Sequence, residues 1–395
     1  MLVYRGKLLK QIFSEKWEPF CAIQPPGKIR PSIHKNVDKM LRCGTEAMGY
    51  HMFKCPRCGV ERKIYHTCKS RFCSKCGVKQ TDLWIKQYSA LFADCEYKHI
   101  VFALPEEFRN YLRVGRTPYF NAFYTAVNLT LNDWYTHPDH REYLPGGMEV
   151  LHTFGRDCKY HTHIHMLITC GGLDKTQTKW IPVSFIPHAY LKNRFKLHFL
   201  ENIRRLWGKE TLEKWPKGLQ PMFTPAYQQR VLNAVKNETW YVHIGKSLKG
   251  NEFVVRYIGR YTKRPAIAES KILAYNGETV TFTFKEHGMT EMTTLTLPVF
   301  EFIERVIKHI PDTNFRVIRY FGFYANRVRG KLLPLVFSLL KQNYEAAKKK
   351  LANLLFWYRE RIEKFTGLDP LICTVCLVPL QLNSIVYTTY TKDYG

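Results

Sequence analysis

The chain has 395 residues, of which 45% are hydrophobic and 14% aromatic: enough for two or three folded domains and too apolar for a disordered polypeptide. Sixty lysines and arginines against 33 acidic residues leave a formal charge of +27, which argues against an ordinary enzyme of small metabolites and for a protein that lies along a polyanion, nucleic acid above all. No run of 18 or more apolar residues is present, which excludes a membrane-spanning helix on length, and no secretory signal is evident, so the expected compartment is the reducing cytoplasm.

Residues 1–42 read as a basic lead-in that contains Pro25-Pro26 and a helix over Ser32–Leu41. Residues 43–95 read as a small zinc-binding domain. Half of the twelve cysteines fall in Cys-x2-Cys pairs, a pattern that favours Zn²⁺ over disulfides when no export signal is present. Cys55-x2-Cys58 and Cys73-x2-Cys76 flank a short strand at Glu61–Tyr65, and four thiolates in two knuckles make the zinc-ribbon arrangement around one tetrahedral ion. Cys43, His51 and Cys68 are left over; with His34 or His66 as a fourth ligand they could hold a second Zn²⁺. The alternative is a surface His51 and a buried Cys43 thiol.

Residues 96–298 read as an α+β domain with a central antiparallel sheet. Tyr97–Leu104 and Met148–Phe154 alternate as strands, and Thr117–Tyr135 forms a helix with an aromatic face. Gly155-Arg156-Asp157 is turn-like and lets the second strand pair as a hairpin with a strand over Tyr160–Ile168, which Gly171-Gly172 closes. A helical insertion near 184–236 follows, with Lys192, Arg194, Lys196, Arg204 and Arg205 on its Tyr190–Trp207 helix and a further helix from Pro225 to Lys236. Then come a strand at Trp240–Ile244, a helix over Asn251–Thr262 and a hairpin that turns at Asn276-Gly277. Residues 299–395 read as mainly helical, over Phe300–His309 and Pro334–Lys364. Cys373-x2-Cys376 stands alone there, a weak zinc signal because two ligands do not close a site.

The chemistry concentrates in two places. In Tyr160-His161-Thr162-His163-Ile164-His165, three histidines alternate along a strand, so their rings leave one face of the sheet. His163 and His165 present two neutral nitrogens, and a third ligand must come from a neighbour. His152 on the preceding strand is placed to supply it; His161 is the rival, although three alternate positions spread too far to converge easily. Such a site with open positions suits a divalent ion acting as a Lewis acid on phosphate. The second place is Arg256-Tyr257-Ile258-Gly259-Arg260-Tyr261-Thr262-Lys263-Arg264, where Tyr257 and Tyr261 share a helix face among four cations. Tyr261 also falls between Val254 and Ile258 on the wheel, which is compatible with an aromatic core stripe. Tyr257 lies at the polar edge, where Arg256 and Arg260 can stabilise a phenolate.

The cysteine block, the His163-Ile164-His165 strand ending in Gly171-Gly172, and Tyr257-x3-Tyr261 followed by Lys263-Arg264-Pro265-Ala266-Ile267-Ala268 together resemble the rolling-circle insertion-sequence transposases of the two-tyrosine HUH type, which carry an N-terminal transposase zinc-binding domain. The match runs in order from about Cys43 to Lys285, and more loosely through Phe315–Arg327 to the terminal cysteine pair. The resemblance implies an HUH endonuclease domain over 96–298. His163 and His165 would hold Mg²⁺ or Mn²⁺ against a phosphate of single-stranded DNA, while Tyr257 first and Tyr261 second attack it. A 3′-OH is released and a 5′-phosphotyrosine retained, so rejoining needs no ATP. Conjugative relaxases take a third histidine from the preceding strand, which supports His152 by analogy. Arg256, Arg260, Lys263 and Arg264, with the zinc domain and basic helices, would contact the element's ends and target. One departure stands out: Phe72 occupies a position where the family commonly has histidine, which bears on the second Zn²⁺. Two rivals share parts of this reading, a replication initiator or relaxase with the same chemistry and a non-catalytic zinc-dependent DNA-binding protein. No Walker-type phosphate loop accompanies the first.

Overall fold

The structure, a computed structural model, describes residues 8–137, 142–183, 186–236, 240–262, 265–286, 288–355, 363, 369 and 371–387. In chain order the helices are α1 (Leu8–Ala22), α2 (Pro31–Arg42), α3 (Ser74–Leu91), α4 (Arg109–Gly115), α5 (Thr117–Tyr135), α6 (His188–Trp207), α7 (Pro225–Lys236), α8 (Asn251–Thr262), α9 (Val299–Ile307), α10 (Arg329–Leu339) and α11 (Tyr344–Leu355). The strands are β1 (Tyr50–Lys54), β2 (Glu61–Tyr65), β3 (Tyr97–Ala103), β4 (Tyr143–Phe154), β5 (Tyr160–Asp174), β6 (Trp180–Pro182), β7 (Tyr241–Leu248), β8 (Ile272–Tyr275), β9 (Thr279–Lys285), β10 (Met292–Pro298), β11 (Ile318–Gly322) and β12 (Gln381–Val386). The α+β class expected from the sequence is the class observed. Among the described residues no helix is long and apolar enough to cross a membrane.

The chain divides into two compact units. One comprises Met1–Leu91, Lys263–Ile310 and Glu345–Gly395, and the other Phe92–Thr262 and Pro311–Tyr344. In the first unit, Leu9, Ile12, Phe13, Trp17 and Phe20 recur at helical spacing along α1 and are all buried. Phe13 meets Phe72 edge-on at 5.4 Å, and Phe20 meets Phe300 of α9 at 5.7 Å. The sequence reading passed over α1, whose apolar stripe is interrupted by Pro19. The Asn276-Gly277 hairpin forms as expected: Gly277 takes φ +94°, and Asn276 Oδ1 accepts the backbone N–H groups of Glu278 and Thr279 at 3.0 and 2.8 Å. It joins β10 in a three-stranded sheet grouped with α1 and α9.

Among the described residues of 299–395, α9, α10 and α11 supply more residues than the two strands, and those strands, β11 and β12, were not expected. β11 pairs with β4, and β12 pairs with β1, so both strands complete sheets begun far earlier in the chain. Strands of five and six residues show too little alternation to be read without their partners.

The cysteines are also regrouped. Cys43, Cys68, Cys73 and Cys76 form one cluster, and Cys55, Cys58, Cys373 and Cys376 a second, the sulfurs of each lying within 4.8 Å of one another. Cys43 and Cys76 sulfurs are 3.5 Å apart, Cys55 and Cys376 3.3 Å, and Cys58 and Cys373 3.5 Å. Sulfurs bound at about 2.3 Å around a tetrahedral zinc stand roughly 3.8 Å apart, so both clusters fit Zn²⁺. The single ribbon site expected from Cys55, Cys58, Cys73 and Cys76 does not form. Its first pair caps the tip of the β1–β2 hairpin while its second pair begins α3, and a five-residue strand keeps its ends about 13 Å apart. His51 is not in either cluster; its Nδ1 lies 2.9 Å from His66 Nε2. His34 sits edge-on to Trp17. Phe72 needs no histidine in its place, since four sulfurs already complete that cluster. Hydrogen bonds among these sulfurs hold Cys43 down at about 7 and Cys76 lower still, and push Cys68 and Cys73 up. Four thiols this close cannot all ionise without a cation between them.

In the second unit the sheet order is β11-β4-β5-β3-β7, antiparallel throughout, with β6 paired to the far end of β5. Gly171 and Gly172 do not close β5 as expected; they let it bend between β4 and β6. Gly171 adopts φ +139°, and a Cβ on Gly172 would meet the Leu144 carbonyl oxygen at 2.3 Å. One face of the sheet (Ile100, Phe102, Leu151, Ile164, Met166, Val242) packs with Phe123 of α5 and Phe195 and Phe199 of α6 into the largest buried core of this unit. Glu149 points into the same side of β4, 1% exposed, with Asn128 of α5 donating to it at 3.2 Å.

Burial pushes the Glu149 carboxyl up to about 8. The folded chain therefore holds this proton more tightly than the unfolded chain. The stability it contributes is complete below the ordinary carboxylate range and is lost as pH rises through about 8. Glu149→Gln is expected to flatten the fall in unfolding midpoint between roughly pH 5 and 9; parallel melting curves for the two proteins would refute this. For the cysteines, metal analysis is expected to find two Zn²⁺ per chain, falling to one in Cys373→Ser with Cys376→Ser. Unchanged stoichiometry in that variant would restore the single-ribbon grouping.

Candidate active site

β5 lies between β4 and β3, and its alternation sends Ile164, Met166 and Ile168 into the helix-covered core while His161, His163 and His165 leave the opposite face. The registers fix what joins them. His152 of β4 stands directly across from His163, and on β3 Val101 stands across from His165 and His99 across from Leu167. Residues directly opposite share a face, so His152 and His99 project on the same side as the two β5 histidines.

One ring nitrogen each from His152, His163 and His165 lies within 4.8 Å of the others, and the Nε2 atoms of His163 and His165 are 3.1 Å apart. Adjacent donors on an octahedral ion at about 2.1 Å stand roughly 3.0 Å apart, so this trio fits a divalent cation. His161 is outside it: its Nδ1 and its carbonyl oxygen lie 3.2 and 3.1 Å from Nδ1 of His163, behind the ring. Burial holds the His163 imidazole at about 3 and that of His165 well below the usual range. Both rings are therefore neutral near pH 7, with lone pairs available for a metal.

Helix α8 packs against β4 through a face that buries Val254, Val255 and Ile258. Tyr257, half-buried at the edge of that face, reaches His99: its hydroxyl is 3.3 Å from His99 Nδ1, with the rings edge-on at 5.2 Å. His99 in turn places Nε2 2.9 Å from Nδ1 of His165. Arg256 is exposed on the same helix. The side chains of Arg260 and Tyr261, and residues Lys263 and Arg264, lie outside the described residues. Sequence reasoning missed His99 here, and elsewhere the place of Cys373 and Cys376 in the second sulfur cluster. His99 was read only as part of a core strand, although an imidazole amid apolar alternation was the available signal. Cys373 and Cys376 were set aside as a lone pair.

Residues 146–331 match the Y2_Tnp family, described as "Putative transposase", and residues 12–104 match the Zn_Tnp_IS91 family, described as "Transposase zinc-binding domain". The chain is 31% identical over 376 residues to the "Transposase for insertion sequence element IS801" of Pseudomonas savastanoi pv. phaseolicola, covering 94% of the chain and 88% of the relative. It is 29% identical over 339 residues to the "Putative transposase y4qJ" of Sinorhizobium fredii (strain NBRC 101917 / NGR234), covering 85% and 84%. No solved structure matches it. Both domain matches, in this order along one chain and with this identity over nearly its whole length, mean that the chain belongs to the IS91/IS801 family of rolling-circle insertion-sequence transposases with an N-terminal zinc-binding domain.

Proposed function

We propose that this transposase is an HUH-type endonuclease that cuts and reseals single-stranded DNA at the ends of its element through a phosphotyrosine intermediate. The observation that carries the reading is the position of the Tyr257 hydroxyl, one imidazole away from a three-histidine metal site. His152, His163 and His165 are the ligands, and three nitrogens favour Mn²⁺ over Mg²⁺. An ion held there would supply Lewis acidity to the scissile phosphate.

Tyr257 is the first nucleophile. The phenol gives its proton to solvent, its oxygen bonds to phosphorus as the P–O3′ bond breaks, the leaving 3′ oxygen takes up a proton from solvent, and the 5′ phosphate stays on the phenol oxygen. A 3′-hydroxyl of another strand reverses the exchange and frees the tyrosine, so no ATP is consumed. Tyr261, one helical turn further along α8, takes the second strand. Arg256, with Arg260, Lys263 and Arg264, holds the DNA backbone, and the excess of cationic residues draws the strand in.

Incubation with a single-stranded oligonucleotide bearing the element's end and Mn²⁺ is expected to yield a covalent protein–DNA adduct. Tyr257→Phe should reduce it sharply and Tyr257→Phe with Tyr261→Phe should abolish it. No adduct from the wild type, with steeply salt-dependent binding retained, would leave a DNA-binding protein without this chemistry. For the third ligand, His152→Ala is expected to weaken Mn²⁺ binding by more than the roughly 10- to 100-fold typical of outer partners, and His161→Ala by less than His152→Ala; calorimetry giving the opposite order would move the assignment to His161.

A further inference from the structure

We infer that His99 is a positioning residue that couples the nucleophile to the metal site and acts as a hydrogen-bond donor to the Tyr257 oxygen. The inference rests on the nuclease reading above and extends it to a residue outside the ligand set. Four side chains stand in line: Tyr257 Oη to His99 Nδ1 at 3.3 Å, His99 Nε2 to His165 Nδ1 at 2.9 Å, and His165 Nε2 facing His163 Nε2 at 3.1 Å.

The proton order along this chain follows from its metal end. The nitrogen that His165 turns toward His163 is Nε2, so this atom offers the lone pair. A neutral imidazole carries one proton, which then sits on Nδ1 of His165 and points at His99. His99 Nε2 must accept it. The proton of His99 is thereby confined to Nδ1, the atom next to the Tyr257 hydroxyl. His99 cannot remove the phenol proton in this arrangement. It donates to the oxygen instead, which lowers the cost of the phenolate as the phenol proton leaves to solvent, and aims the oxygen from a rigid strand.

His99 is 6% exposed and its ring lies nearly parallel to that of His165, at 10° and 5.1 Å between centroids. The relay is therefore held by β3 and β5 and does not depend on a loop. The same two hydrogen bonds fix the orientation of His165, the usual task of a group behind a metal-bound histidine.

The test uses the full-length protein with His99→Leu and His99→Gln. Leucine keeps the buried bulk and loses both hydrogen bonds; glutamine can accept from His165 and donate to Tyr257. His99→Leu is expected to weaken Mn²⁺ binding, measured by calorimetry without DNA, by about 10- to 100-fold. It should also lower kcat for single-strand cleavage by roughly 100-fold with KM for DNA unchanged. His99→Gln should recover most of both. Mn²⁺ affinity of His99→Leu within about twofold of wild type, or equal loss in the two variants when both melt like wild type, overturns the proposal. Should the variants not fold, ¹⁵N NMR of the Mg²⁺-loaded wild type decides. A proton on His99 Nδ1 is the expected tautomer, and one on Nε2 overturns it. If the wild type forms no DNA adduct, the nuclease reading fails, while the affinity and tautomer measurements still decide the relay.

Discussion

The pairing of β4 with β5 is the constraint on which the site depends. Its register sets His152 across from His163 and, through the same alternation, turns Leu151, Ile164 and Met166 into the helix-covered core. A slip of one residue would exchange the two faces of β4, sending His152 toward the apolar helices and Leu151 toward the histidine side. The core and the site are thus two readings of one hydrogen-bonded ladder. The turn that joins the strands holds the register locally: Gly155 N–H donates to the Lys159 carbonyl at 2.9 Å, and Asp157 Oδ1 accepts the Lys159 N–H at 3.1 Å.

Placing imidazoles on a buried sheet face has an electrostatic consequence. Desolvation disfavours the charged ring, so the His163 and His165 imidazoles are neutral by virtue of position. Buried polar rings cost stability unless they are hydrogen-bonded. Here His163 Nδ1 lies 3.1 Å from the His161 carbonyl oxygen, His165 bonds to His99, and His99 to Tyr257. The strands that bear them are locked by the core beneath, and α8 adds the phenol from a helix that buries valine and isoleucine on its inner face. A rigid scaffold beneath and a polar chain above is an arrangement suited to holding the Tyr257 hydroxyl close to the histidine cluster.

The cysteine-rich unit is built on a different economy. One of its two three-stranded sheets, β12-β1-β2, has short strands, and the small cluster that includes Phe53 of β1 contains Cys55, Cys373 and Leu380 with Val378. Small cores of this kind are usually completed by metal. The second cluster draws two sulfurs from the hairpin tip and two from a segment more than 300 residues later, with Cys55 and Cys376 separated by 321 positions. β12 docks beside β1 in the same region, so the late segment is held by both a ladder and the cysteine cluster.

Much of this was legible in the residues themselves. Alternating histidines specified a strand and a common face, apolar periodicity located α5, α6, α7 and α8 closely, and Asn276-Gly277 specified its turn, because each of these signals is local and complete within a dozen residues. Composition and charge pointed to nucleic acid for the same reason: they need no partner. What the sequence left open was every choice among equivalent partners. Cys55-x2-Cys58 has two other Cys-x2-Cys pairs to choose from, and only the length of the β1–β2 hairpin rules out the near one. His99 is an unremarkable strand residue until the β3–β5 register and the packing of α8 bring it between His165 and Tyr257. β11 and β12 carry too little pattern to declare themselves without β4 and β1 beside them. The chain alone determined which chemical groups are present and which local geometry each adopts; which groups meet was decided by strand register and by the distance that a strand keeps between its ends.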